Sequence, residues 1–163
     1  MNPAYLHLIV SHIPIVGIGF VILLFIISLV RKSNELINIS LVFLILVALF
    51  TIVVHQSGES AEEFVKDMPG FSNQVVLTHD VAADLATIVV QLAGLLAIIT
   101  LAAKRFQKKH INILVILTLL ALIIAGGLVI RAAYLGGKIN HPELQSDNER
   151  VTGFEPATLS LGS

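Results

Sequence analysis

The chain has 163 residues, 56% of them hydrophobic and 13% charged, with a formal net charge of −1 at pH 7, and its mean hydropathy of +0.91 lies far from the balance of a water-soluble domain. It carries no basic tract for nucleic acid to bind, and the absence of cysteine excludes disulfides, iron–sulfur ligation and covalent attachment of a c-type haem. Any cofactor must be held by nitrogen or oxygen ligands.

Four apolar stretches are long enough to cross a bilayer, which takes about 20 residues at 1.5 Å rise. They are residues 5–30, 36–54, 81–103 and 111–130. The first has no basic leading region and no small-x-small cleavage site, so it is read as a retained span rather than a signal peptide. It opens "YLHLIVSHIPIVGIGF", with His7 and His12 about 140° apart on a helix, so the two imidazoles face different partners. Pro14 loosens the backbone beyond them. His12 heads the apolar run 13–20 and is expected to turn inward, as polar groups at membrane depth do. His7 is either a ligand at a second position or an interfacial anchor.

Arg31 and Lys32 follow the first span. The second ends at "HQSGESAEE", where His55, Glu59 and Glu63 recur at i, i+4 and i+8: one helical face of metal-capable groups, or a solvated face. The acidic link 55–78 includes "EFVKDMPGFS", which reads as a short amphipathic helix broken at Pro69 and Gly70. The third span opens "THDVAADLATIVVQ", with Thr78 as its expected cap and His79 at its mouth. Asp80, Asp84, Thr87 and Gln91 form one stripe, either a hydrogen-bonded seam between helices or a path for protons. Lys104, Arg105, Lys108, Lys109 and His110 fill the next link. Arg131 closes the fourth span, where it can neutralise Asp84, face a cofactor carboxylate or snorkel to the interface. His141 follows.

Basic residues concentrate in the links after the first and third spans, so those links are expected inside and both termini outside. The expected fold is an all-α integral membrane protein, an up-down-up-down four-helix transmembrane bundle spanning residues 1–143. Small residues in the first, third and fourth spans (Gly17, Gly19, Ala82, Ala83, Ala86, Ala93, Ala125, Gly126, Gly127) allow close helix packing, or leave room for a flat cofactor. The polar tail 144–163 ends in "GFEPATLSLGS", which resembles a string found where unrelated reading frames run across a transfer-RNA gene. The tail is expected to be mobile, and residues 151–163 to be dispensable for folding and cofactor content.

In this topology five of the six histidines, His7, His12, His55, His79 and His141, gather at the outer face, and all four spans contribute. The opening His7-Leu8-Ile9-Val10-Ser11-His12-Ile13-Pro14-Ile15, with His79 and the closing "LGGKINHPE" (135–143), resembles a bacterial family of four-span membrane proteins of unknown function with an HPxxVHFPI motif. Leu8 stands where that motif has proline, and the gap between Gly137 and His141 differs. The family is similar in layout to membrane b-type cytochromes. That resemblance implies a bacterial inner membrane, a histidine-ligated haem b facing the periplasm, and electron exchange with other membrane redox subunits or a periplasmic carrier.

Two functional expectations stand beside a purely structural subunit. In one, two of His12, His55, His79 and His141 hold haem iron, with His7 nearby and Arg131 facing a propionate. In the other, three imidazoles and a carboxylate such as Glu59 or Asp80 hold zinc or copper. Neither G-x-S-x-G nor H-E-x-x-H occurs, so an electron carrier or subunit is favoured over a stand-alone enzyme.

Overall fold

The computed structural model describes residues 2–65, 73–106 and 110–140. They form five helices: α1 (Pro3–Val10), α2 (His12–Val30), α3 (Asn34–Val65), α4 (Asn73–Arg105) and α5 (Ile111–Asn140). Because α1 and α2 follow one another as a single apolar run, four stretches are long and apolar enough to cross a membrane: Pro3–Val30, Asn34–Phe64, Gln74–Arg105 and Ile111–Ile139.

The step between α1 and α2 has a local cause. Pro14 has no N–H to give the Val10 carbonyl and its ring crowds that group, and α1 ends at Val10. The chain keeps its direction, since Ser11 stays helical at φ −63, ψ −22. Ser11 Oγ–H and His12 Nδ1–H both donate to the Leu8 carbonyl, at 3.0 and 2.7 Å. Asn2 caps the start of α1 by accepting the Ala4 N–H at 2.9 Å, and Pro3 fills the first position, where a missing N–H costs nothing. Lys32 takes φ 50 in the turn after α2, and Ser33 caps α3 through the Leu36 N–H at 3.3 Å.

Each of α2 to α5 packs on its neighbour in sequence, α2 meets α5 to close the ring, and α1 lies against α3. Ile18, Val21 and Phe25 of α2, Leu41 and Leu44 of α3, Val90 of α4 and Leu122 of α5 fill the centre. Alanine and glycine set the closest approaches. A Cβ on Gly94 would stand 2.5 Å from that of Ala48, and one on Gly17 would stand 2.9 Å from Val47 Cγ2. The buried hydroxyls satisfy themselves on preceding carbonyls: Ser28 on Phe25, Thr51 on Val47. Thr100 and Thr118 also meet across α4 and α5 at 2.9 Å. Among the described residues no buried side-chain nitrogen or oxygen lacks a partner.

The exterior is apolar. No more than 33% of any span's most apolar window is buried within the bundle, and Val16, Leu23, Ile88, Leu92 and Ile124 are exposed. Arg31, Lys32, Lys104 and Arg105 sit at one end, where Lys104 Nζ donates to Asn34 Oδ1 at 3.2 Å. His110 lies at that end too, exposed and at φ 74.

The helices outrun the hydropathy. The sequence places the second span's end at 54 and the third's start at 81, but α3 continues through His55 to Val65 and α4 begins at Asn73. Gln, Glu and Ala propagate a helix as well in water as apolar residues do in lipid, so the turn of the chain lies much later than the turn in polarity. Thr78 therefore does not cap α4: it sits within the helix, its hydroxyl donating to the Gln74 carbonyl at 2.7 Å. Of the expected short amphipathic helix, the first residues belong to α3 and the remainder, 66–72, lies outside the described residues, as does the tail.

Candidate functional site

At the end of the bundle opposite the basic residues, all five helices line a cavity of about 340 Å³, within the ~300–1,000 Å³ typical of small-molecule sites. Its walls are mainly apolar and narrow in places to Ala83, Ala86, Ala132, Ala133 and Gly136. Four of the expected histidines reach it: His7 from α1, His12 from α2, His55 from α3 and His79 from α4. Asp80, Glu59 and Glu62 add carboxylates to the lining, and Ser11, Thr51 and Thr87 add hydroxyls.

His79 is held from the neighbouring helix. Its Nδ1 lies 3.0 Å from the Ala132 carbonyl of α5. A carbonyl oxygen only accepts, so Nδ1 carries the proton and, in the neutral ring, Nε2 carries the lone pair. The ring lies across Gly136, where a Cβ would stand 3.0 Å from His79 Cε1. His12 has the same tautomer for the same reason, bonded to Leu8 of the preceding turn at 2.7 Å, but it is exposed and this bond stays within the run of chain formed by α1 and α2.

His7 is half-buried and crosses to α3, where its Nδ1 lies 2.9 Å from Ser57 Oγ. Its ring covers Gly58, where a Cβ would stand 3.2 Å from His7 Cε1. It also lies within electrostatic range of His79. The expected ranking of the first two histidines is thus reversed in burial: His7 is the one packed between helices, and His12 lies at the cavity's edge. Their predicted angular separation explains the difference, because only one side of this helix can face α3.

His55 is engaged differently. Its Nε2 lies 3.7 Å from Glu59 Oε1 and its Nδ1 lies 3.7 Å from Asp84 Oδ1, so each ring nitrogen faces a carboxylate. The polar stripe of α4 accordingly meets α3: Asp84 at His55, and Gln91, whose Nε2 donates to the Ala48 carbonyl at 2.7 Å. Those two contacts form an interhelical seam, while Asp80 and Thr87 line the cavity. Arg131 is exposed and is not part of the lining. His141 lies outside the described residues.

Among the described residues no group of three or more His, Cys, Asp or Glu converges on one metal position; His141, a candidate ligand for either cofactor, lies outside them. Imidazole nitrogens, apolar walls and small side chains are the chemistry that a histidine-held haem would use.

Ser57, Gly58, Glu62 and Gly136 belong to the site but not to the expected set. Only the pairing "SG" after "HQ" and the glycines of "LGG" hint at them, and glycine within a helix has many other uses. Comparison with protein-family models, with curated proteins and with solved structures finds no match.

Proposed function

We propose that this chain is a four-span membrane protein that binds haem b at the histidine-lined end and carries electrons there. The apolar exterior of the bundle supports insertion. The basic residues at the opposite end support an orientation with the cavity and both termini at the outer face, for a bacterial inner membrane the periplasmic one. The reading also draws on the resemblance of the opening motif to the four-span family with HPxxVHFPI.

Of the four histidines, His7 and His79 would hold the iron. The observation that carries this choice is that each is locked by a hydrogen bond to a different helix, at 2.9 and 3.0 Å, and each covers a glycine of that helix. Ligands held in this way keep their geometry when the metal changes charge. His55 is turned to two carboxylates, and His12 bonds only within its own run of chain, so neither is held as well. Bound haem b supplies a one-electron couple. The residues do the rest: Ala83, Ala86 and Ala132 leave the space, and Glu59, Glu62 and Asp80 place negative charge near the site, which favours the oxidised form. The partner is a membrane redox subunit or a periplasmic electron carrier.

The test is the absorption spectrum of the protein purified in mild detergent from its native membrane, oxidised and then reduced with dithionite. A Soret band with sharp reduced α and β bands is expected. A folded protein from haem-sufficient cells that shows no visible absorption, and gains none with added haemin, would overturn the reading.

A further inference from the structure

Ser57 is a helical serine with two neighbours and one hydrogen to give. Its Oγ lies 2.7 Å from the Val54 carbonyl and 2.9 Å from His7 Nδ1. If the hydroxyl donated to the imidazole, the carbonyl contact would have no hydrogen and only one bond would form. If it donates to Val54, which can only accept, its lone pairs remain for an Nδ1–H and both bonds form. The second arrangement also uses the shorter contact for the hydroxyl.

We infer that Ser57 is a positioning residue that fixes the Nδ1–H tautomer of His7 and so makes Nε2 the lone-pair nitrogen this ring offers to the cavity. This rests on the haem reading for its purpose, though not for its geometry. Ser57 does for His7 what the Ala132 carbonyl does for His79. The parallel extends to shape, since each imidazole covers a bare glycine on the helix that supplies its acceptor: Gly58 beside Ser57, and Gly136 one turn after Ala132. The two seats come from different helices and chemically different acceptors, and they give the same tautomer. An acceptor on Nδ1–H also makes Nε2 the stronger donor to a metal. The Val54 carbonyl also lies within reach of the His7 ring, so a substitution at Ser57 removes the side-chain part of this seat and leaves the backbone part.

The test uses the full-length chain in detergent with ¹⁵N-labelled histidine, the His7 signals being assigned by their loss in His7→Ala. In the unsubstituted protein prepared without haem, His7 shows a protonated Nδ1 and a bare Nε2. Ser57→Ala moves it toward the Nε2–H tautomer, Ser57→Thr restores it, and His79 is unchanged throughout as an internal reference. In haemin titrations Ser57→Ala binds about tenfold more weakly and its reduction potential moves upward, with Ser57→Thr recovering both. A His7 protonated at Nε2 in the unsubstituted protein, or a tautomer indifferent to Ser57→Ala, overturns the inference. Haemin that fails to bind while the tautomer pattern holds would defeat the haem reading and leave the role of Ser57 standing.

Discussion

The imidazole of His79 occupies the space that a side chain at Gly136 would need: a Cβ there would stand 3.0 Å from His79 Cε1 and 3.2 Å from its Nδ1. The contact joins α4 to α5 at the cavity wall, and it makes the glycine a determinant of where the ring can sit. Gly136→Ala should therefore leave the helices intact, because alanine is the better helix former by up to about 1 kcal/mol. It should push the ring off its seat. Thermal unfolding followed by circular dichroism is expected to change little, and haemin affinity to fall by about an order of magnitude.

Gly94 makes the opposite kind of contact, with structure at stake rather than the site. A Cβ on it would lie 2.5 Å from that of Ala48, so Gly94→Ala must separate α3 from α4 and disturb the Gln91 bond to the Ala48 carbonyl. We expect destabilisation of about 1–3 kcal/mol. Gly127→Ala is the matched control, since nothing lies within 4 Å of its added Cβ. Denaturant-driven unfolding of the two variants in one detergent compares them directly.

His55→Ala should keep the cofactor, because both ring nitrogens already face carboxylates. Its loss removes 3.7 Å contacts to the exposed Glu59 and Asp84, and even a charged pair at such an exposed site is worth less than about 1 kcal/mol. Haem content equal to that of the unsubstituted protein is the expected result. Substantial loss of haem would return His55 to the set of ligands.

These predictions draw unequally on what was legible in the sequence. Apolar runs of sufficient length marked each of the four stretches long and apolar enough to cross a membrane, and the placing of Arg31, Lys32, Lys104 and Arg105 separated the two ends. Depth along the chain also brought His7, His12, His55 and His79 to one end. Depth does not determine azimuth, however. His12 heads the apolar run but lies at the cavity's edge, while His7, one and a half turns earlier, crosses to α3. The helices' true ends were hidden because "HQSGESAEE" is polar enough to look like a loop and helical enough not to be one. Ser57 was invisible for a different reason: its meaning comes from a bond to a residue fifty positions away, and no local pattern records that.

Removal of residues 151–163 should leave helix content and haem binding unchanged. The segment is short and terminal, and its few apolar residues are scattered among Gly, Pro, Ser and Thr. Circular dichroism and haem-to-protein ratio of the shortened chain check this together.

The claim on which the account turns is the pairing of His7 with His79. The most direct measurement is the haem-to-protein ratio, by reduced absorption spectrum, of His7→Ala, His79→Ala, His12→Ala and His110→Ala purified side by side from the same host. The account predicts loss of the six-coordinate reduced spectrum in the first two and its retention in the last two. Full retention in His7→Ala or His79→Ala would contradict it.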